Sequence, residues 1–260
     1  MRTNDFWIRP DWPAPAAVGA LMSTRGGGVS CGPFASLNLR EGIGDDAQCV
    51  SVNQARHAQR CEAIPVWLSQ VHGARVVHLV GPTAAGAFEA DAAVTTVPGL
   101  ACSVQVADCL PVLLSTRQGL AVAAVHAGWR GLAGGVLEAA LSALCVAGRC
   151  APSDVLAWLG PAIGPRAFEV GFDVLEAFGA TANVAPGFTP ILAPATPAVP
   201  KWLADLAWLA RHRLGAAGVD AVYGNDGSQG WCTWSNPSKF FSYRRDAPSG
   251  RLAASIWLRF

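Results

Sequence analysis

The sequence predicts an α+β fold, a single domain over residues 1–260 in which mixed β-sheets are flanked by helices. Three observations predict it. Apolar residues make up 52% of the 260 positions and charged residues 14%, enough to build one large core. Several strand-like runs follow one another directly, without the helix that a doubly wound parallel fold would place between them. One run, Leu120 to Val125, is wholly apolar, as a strand covered on both faces should be. No internal repeat or linker divides the chain.

The elements read in order as follows. Pro10 to Pro15 is extended. Val18 to Thr24 is a strand that stops at Arg25-Gly26-Gly27-Gly28, a glycine-rich loop. Asp45 or Asp46 is placed to cap a helix from residue 47 to about residue 61, with His57 on its solvated face. Val66 to Val71 and Val76 to Val80 form a strand pair around His72-Gly73. Leu100 to Val106, Pro111 to Ser115 and Leu120 to Val125 are three further strands. Gly131 to Gly135 leads into a helix with apolar spacing from Val136 to Leu144. Val155 to Leu159 is a buried strand and Asp173 to Phe178 a short helix. Residues 181–200, with five prolines, read as an exposed loop. Lys201 to Leu214 is an amphipathic helix and Val219 to Tyr223 a strand. Phe240 to Arg245 and Ala253 to Phe260 complete the sheet.

Charge and composition exclude several classes. A formal net charge of +1 points to no nucleic acid and no acidic membrane surface. No run of about 20 apolar residues is present to span a bilayer. No signal-peptide core opens the chain, so the expected compartment is the cytoplasm. Eight cysteines there read as thiols or ligands, and the absence of any CxxC pair argues against a zinc ribbon.

Three residues carry the chemistry. His72, Cys109 and His126 each stand where a strand is expected to end, close to Gly or Pro. Two imidazoles and a thiolate make a three-ligand set, and a catalytic zinc takes three protein ligands and keeps a fourth position open. The same trio could be a cysteine nucleophile with a histidine base. The plainer reading of each residue alone is a core histidine or an inert buried thiol. Cys102 falls out of phase with Cys109 and reads as core. Cys31, Cys49, Cys61, Cys145, Cys150 and Cys232 read as inert, His78 as structural and His212 as exposed.

Several segments resemble one family. They are Ser69-Gln70-Val71-His72-Gly73, Asp91-Ala92 with Thr95, Ala107-Asp108-Cys109-Leu110-Pro111 and Val125-His126-Ala127-Gly128-Trp129-Arg130-Gly131. Gly160-Pro161-Ala162-Ile163-Gly164, Phe168-Glu169-Val170 and Phe240-Phe241-Ser242-Tyr243-Arg244-Arg245 complete the set. The chain is similar over most of its length to the laccase-domain family, long labelled polyphenol oxidase. Its members are understood as zinc-dependent purine nucleoside phosphorylases that also deaminate adenosine. One departure is Leu39-Arg40-Glu41, where relatives more often carry a small residue after Asn-Leu.

The resemblance implies a mixed-sheet fold comparable to a toxin deamidase domain. It also implies metal ligation by His72, Cys109 and His126, and purine nucleosides and phosphate as partners. Methylthioadenosine is a further expected substrate. Zinc is the expected ion, with copper possible at the same ligands. Asp108 is a candidate general acid/base or hydrogen-bond acceptor for a ligand histidine, with a turn cap as its plainer role. Arg130, heading a Gly-rich helix start, is the candidate phosphate contact, and Trp129 could stack on a purine. Asn38, Gln70, Tyr243 and Arg244 are candidates for base or ribose contacts. An oxygen-reducing multicopper site needs many histidines, and this chain has five, with no HxH pair. The competing readings are a Cys-His hydrolase or deamidase with Cys109 as nucleophile, a copper-binding polyphenol oxidase, and a non-enzymatic partner-binding protein.

Overall fold

The computed structural model describes residues 6–83, 86–181, 185–191 and 200–260. In chain order the strands and helices run β1 (Trp7–Ile8), β2 (Val18–Ser23), α1 (Ala47–Cys61), β3 (Ile64–Trp67), β4 (Val76–Leu79), β5 (Ala92–Thr95) and β6 (Leu100–Val106). They continue β7 (Leu110–Thr116), β8 (Val122–Ala127), α2 (Trp129–Ala133), α3 (Val136–Gly148), β9 (Val155–Leu159), β10 (Glu169–Val170) and α4 (Phe172–Ala177). The last are β11 (Phe188–Ile191), β12 (Lys201–Ala204), α5 (Leu206–Ala216), β13 (Ala221–Gly224), α6 (Tyr243–Asp246) and β14 (Leu252–Leu258).

The described strands form a five-stranded sheet of order β1-β2-β14-β6-β3, a six-stranded sheet of order β13-β9-β7-β8-β5-β4 and a three-stranded sheet of order β10-β12-β11. The two large sheets are both mixed: β3 runs parallel to β6, and β4 to β5, among antiparallel pairs. This is the α+β architecture expected.

The wholly apolar strands are explained by layering. Leu113, Val122 and Ala124 of the six-stranded sheet pack on Cys102, Val104 and Ile256 of the five-stranded sheet. The alternate residues, Val112, Leu114, Ala123 and Val125, face the other way, onto Leu137, Leu141 and Leu144 of α3 and Leu209 of α5. Helix α1 covers the outer face of the five-stranded sheet, where Cys61 meets Leu21, Ala101 and Trp257.

Helix α1 begins as expected, with the Asp46 side chain accepting from Cys49 N at 2.8 Å. His57 is a correction. It is fully buried, with Nε2 2.8 Å from Ser255 Oγ, between the rings of Trp7 and Trp67. It lies on the inward face with Val50, Asn53 and Cys61, and that spacing overrides the polarity of the residue. Burial pushes its pKa down to about 3.

Other expectations change too. The strands either side of His72 are not a pair, because β3 and β4 belong to different sheets. Residues 188–191 form β11 rather than loop, while residues 182–184 and 192–199 of the Pro-rich stretch lie outside the described residues. Lys201–Ala204 is a strand that precedes the expected helix. Phe240 to Arg245 is no strand: Phe240 and Phe241 are core residues and the chain then turns into α6. His78, read as structural, is exposed on β4, whereas His212 is exposed on α5 as expected.

Candidate metal centre

Two crossings between the large sheets build the site. The chain leaves the five-stranded sheet after β3 and enters the six-stranded sheet at β4, carrying His72 across. It crosses again from β6 to β7 through Ala107-Asp108-Cys109. His126 stands in β8 with its Cα opposite Pro111 of β7, so Cys109, just before β7, lies beside it. Neither His72 nor His126 is strictly at a strand end: His72 is in the crossing loop and His126 is the penultimate residue of β8.

Local backbone is shaped to this end. His72 and Asp108 both have positive φ, 63° and 105°, a conformation that side-chain-bearing residues seldom adopt. Gly128 leaves the space the ligands occupy, since a Cβ there would meet His72 Cδ2 at 2.9 Å and Cys109 Sγ at 3.0 Å.

The ligand atoms of His72, Cys109 and His126 all lie within 4.8 Å of one another. Cys109 Sγ is 3.7 Å from His72 Nε2, close to the roughly 3.5 Å that two ligands sharing one tetrahedral ion require. The rings of His72 and His126 meet edge-on at 4.8 Å. Among the described residues this is the group of three or more His, Cys, Asp or Glu side chains able to hold a metal, and it offers no fourth ligand. One sulfur and two nitrogens suit zinc or copper, and three protein ligands beside a cavity leave an open position.

Asp91 was not assigned a role from the sequence, and it organises the centre. Its fully buried carboxylate accepts from Val71 N (3.2 Å), His72 N (2.9 Å) and Gly73 N (2.7 Å), and lies 2.7 Å from His126 Nδ1. It thus fixes the His72 turn and, by taking the Nδ1 hydrogen bond, turns His126 Nε2 toward the other two ligands. Burial works against its charge, but the His126 hydrogen bond and the backbone N–H groups hold its pKa below the ordinary carboxylate value. Burial likewise opposes the Cys109 thiolate, yet His126 and His72 bring its pKa down to about 6. For His126 burial is overcome by Cys109 and Asp91, and its pKa rises to about 9. The thiol is thereby poised as the thiolate that ligation needs.

A cavity of about 460 Å³ opens onto the three ligands, within the range of small-molecule sites. Apolar and aromatic side chains line it, including Ile43, Val106, Ile163, Phe168 and Tyr243. So do three arginines, Arg40, Arg244 and Arg251, none of which has a carboxylate partner among the described residues.

The remaining expected site residues divide. Tyr243, Arg244 and Gln70 line the cavity, although the Gln70 amide is spent on the backbone of Gln105. Asp108 also lines it, but its two oxygens accept from Thr233 Oγ1 at 2.6 Å and Arg244 N at 2.7 Å, the turn-cap role. Asn38 is fully buried and bonded within the protein, away from the cavity lining. Arg130 is exposed and does not line the cavity; its guanidinium stacks on the Trp129 ring at 4.2 Å. It points outward because Gly131 and Leu132 take the buried face of α2. Cys102 is buried in the inter-sheet core, as expected.

The family model for multi-copper polyphenol oxidoreductase laccase matches residues 19–259. The chain belongs to that family. It is 49% identical over 254 residues to a purine nucleoside phosphorylase of Pseudomonas aeruginosa, covering 97% of this chain and 98% of the relative. It is 48% identical over 254 residues to purine nucleoside phosphorylase YfiH of Escherichia coli, covering 96% and 98%. A Neisseria meningitidis protein of known structure superposes with a TM-score of 0.87 at 43% identity, covering 98% of this chain and 100% of that one. YlmD from Geobacillus stearothermophilus superposes with a TM-score of 0.86 at 30% identity, covering 100% and 98%. In this laccase-like chain two of the five histidines are at the centre, and His57, His78 and His212 are dispersed over α1, β4 and α5. That donor supply does not reach a multicopper cluster.

Proposed function

We propose that this protein is a zinc-dependent purine nucleoside phosphorylase of the cytoplasm that also cleaves methylthioadenosine and deaminates adenosine. The observation that carries the reading is the cavity. It joins a sulfur–nitrogen metal centre, apolar and aromatic walls and arginines free of acidic partners. The relatives named purine nucleoside phosphorylase match nearly the whole chain. The eight cysteines are free thiols, which supports a reducing compartment. No described helix is long and apolar enough to cross a membrane.

His72, Cys109 and His126 would hold the ion, with Asp91 orienting His126. When bound, zinc supplies a Lewis acid for charge developing on an oxygen or nitrogen. Phe168 and Tyr243 offer faces to a purine. In phosphorolysis a phosphate oxygen bonds to the anomeric carbon, the C–N glycosidic bond breaks, and the purine leaves with the electron pair and takes up a proton. Arginines beside the ligands hold the anion and stabilise its charge. For deamination Asp108 is the carboxylate that lines the cavity. It must release Thr233 or Arg244 N to move a proton.

A second reading, a Cys–His hydrolase or deamidase, draws on the coupling of the Cys109 thiol to His126. Elemental analysis of purified protein, with adenosine and inosine turnover measured with and without phosphate, separates the two. About one zinc per chain and phosphate-dependent release of free base support the phosphorylase. Full activity in metal-free protein, abolished by thiol alkylation, supports the hydrolase. Copper at the centre with oxygen-dependent phenol turnover would favour an oxidase.

A further inference from the structure

We propose that Arg40 and Arg251 form a two-armed anion cradle that receives the inorganic phosphate of the reaction, with Asn38 as the residue that assembles it. This rests on the phosphorylase reading for the identity of the anion.

Arg40 follows β2 in the N-terminal part of the chain, and Arg251 immediately precedes β14. The fully buried Asn38 joins them. Its Oδ1 accepts from both Arg40 N (3.1 Å) and Arg251 N (2.9 Å). Its Nδ2 donates to Arg40 O (3.0 Å) and to Asp45 Oδ2 (2.8 Å), so the amide is locked in place. Leu39 N adds a bond to Arg251 O at 3.1 Å. Two segments distant in sequence are thereby held backbone to backbone, and both arginines line the cavity onto which His72, Cys109 and His126 open.

Among the described residues the pair has no ion-pair partner in contact. Neither arginine has a carboxylate within ion-pair distance among the described residues. Arg251 gives one nitrogen to Ser249 O and Gly250 O and lies over the Tyr243 ring at 5.2 Å. Its remaining N–H groups have no protein acceptor among the described residues. The Arg40 guanidinium has no such partner at all there. Burial lowers the pKa of both and Arg40 lowers that of Arg251 further, while Asp91 acts the other way on Arg40 and Cys109, Tyr243 and Asp108 act the other way on Arg251. Two like charges held together in a half-buried cavity repel, and a dianion between them relieves the repulsion while filling two planar donor forks. Arg244 is a weaker arm, since it donates to Glu169 O and lies over Phe168. Arg130 lies outside the cavity.

The chemistry recognised is a phosphate dianion, free or carried on the 5′ position of a nucleotide. The test uses the zinc-loaded full chain. Calorimetric titration with inorganic phosphate, and separately with inosine 5′-monophosphate, is run on the parent, Arg40→Met, Arg251→Met and Arg251→Lys. The phosphate KM of inosine cleavage is measured beside it. Arg40→Met carries the test of folding, because its side chain has no hydrogen-bonded partner to lose among the described residues. We expect the phosphate Kd to rise about 10- to 100-fold in both Met variants, and Arg251→Lys to recover only part of the loss. The inosine KM should change by less than about threefold. A phosphate Kd in Arg40→Met and Arg251→Met within about threefold of the parent overturns the cradle. Arginine-dependent binding of the nucleotide with none of inorganic phosphate overturns the proposal that the cradle receives the phosphate of the reaction. A parent that binds phosphate through these arginines but cleaves no nucleoside sinks the phosphorylase reading and leaves the cradle. A parent that cleaves nucleosides with a phosphate KM indifferent to both arginines does the reverse.

Discussion

Asp91→Asn is the sharpest single perturbation of the centre. The substitution keeps shape and removes one acceptor oxygen and the charge. In the parent, Oδ1 serves His72 N and His126 Nδ1, and Oδ2 serves Val71 N and Gly73 N. With the NH₂ in the place of Oδ2 it faces Val71 N and Gly73 N and two hydrogen bonds are lost; in the place of Oδ1 it loses the bond to His72 N and keeps His126 only through a change of tautomer. Each bond to a charged group is worth about 1.5–3 kcal/mol, so the ceiling on lost stability is about 3–6 kcal/mol. If the NH₂ faces His126, Nδ1 must become an acceptor and the proton moves to Nε2, the atom turned toward the metal. Loss of such an orienting carboxylate lowers metal affinity by about 10- to 100-fold. Chelator competition would measure zinc affinity, and urea unfolding would measure stability of the zinc-free protein. A zinc affinity within about threefold of the parent, together with unchanged stability, would refute the role given to Asp91.

Further outcomes are expected. Gly128→Ala should displace His72 and Cys109, whose atoms lie 2.9 and 3.0 Å from the added Cβ; zinc content should fall while far-UV circular dichroism is retained, and full zinc occupancy would contradict this. Cys109→Ser should lose metal and turnover together, whereas Cys102→Ser, in the core, should keep both, as read by elemental analysis and inosine cleavage. Arg130→Ala should leave the ratio of phosphorolysis to deamination of adenosine unchanged, because Arg130 stacks on Trp129 outside the cavity; a selective fall in phosphorolysis would restore it to the phosphate site. His57 has a folded pKa of about 3, below its unfolded value of 6.5. The unfolded chain therefore takes up its proton first, and stability should fall as pH drops below 6.5, by up to about 1.4 kcal/mol per pH unit. Urea unfolding of parent and His57→Gln between pH 7 and 5 isolates that slope, and equal slopes would show that His57 does not titrate on unfolding.

The sequence by itself determined the strands of the core, the capped start of α1 and the trio His72, Cys109 and His126 that the fold brings together. These are local properties: apolar runs at strand length, an Asp ahead of a helix, and His or Cys set among short motifs with Gly or Pro. Tertiary structure decided the rest. A turn between two strand-like runs reads as a pair, but β3 and β4 go to different sheets, and that separation is what carries His72 to Cys109. The inward spacing of Val50, Asn53, His57 and Cys61 was present in the sequence, yet a histidine there reads as solvated until Ser255 is seen to receive it. Arg130 sits beside a ligand in sequence and turns away because its neighbours Gly131 and Leu132 are buried. Asp91 orients His126 from just before the neighbouring strand β5, and Asn38 binds the backbones of both Arg40 and Arg251. Local order follows from interactions a few residues apart. The metal centre and its arginines depend on hydrogen bonds between distant segments, and only the packing of the two sheets brings those segments together.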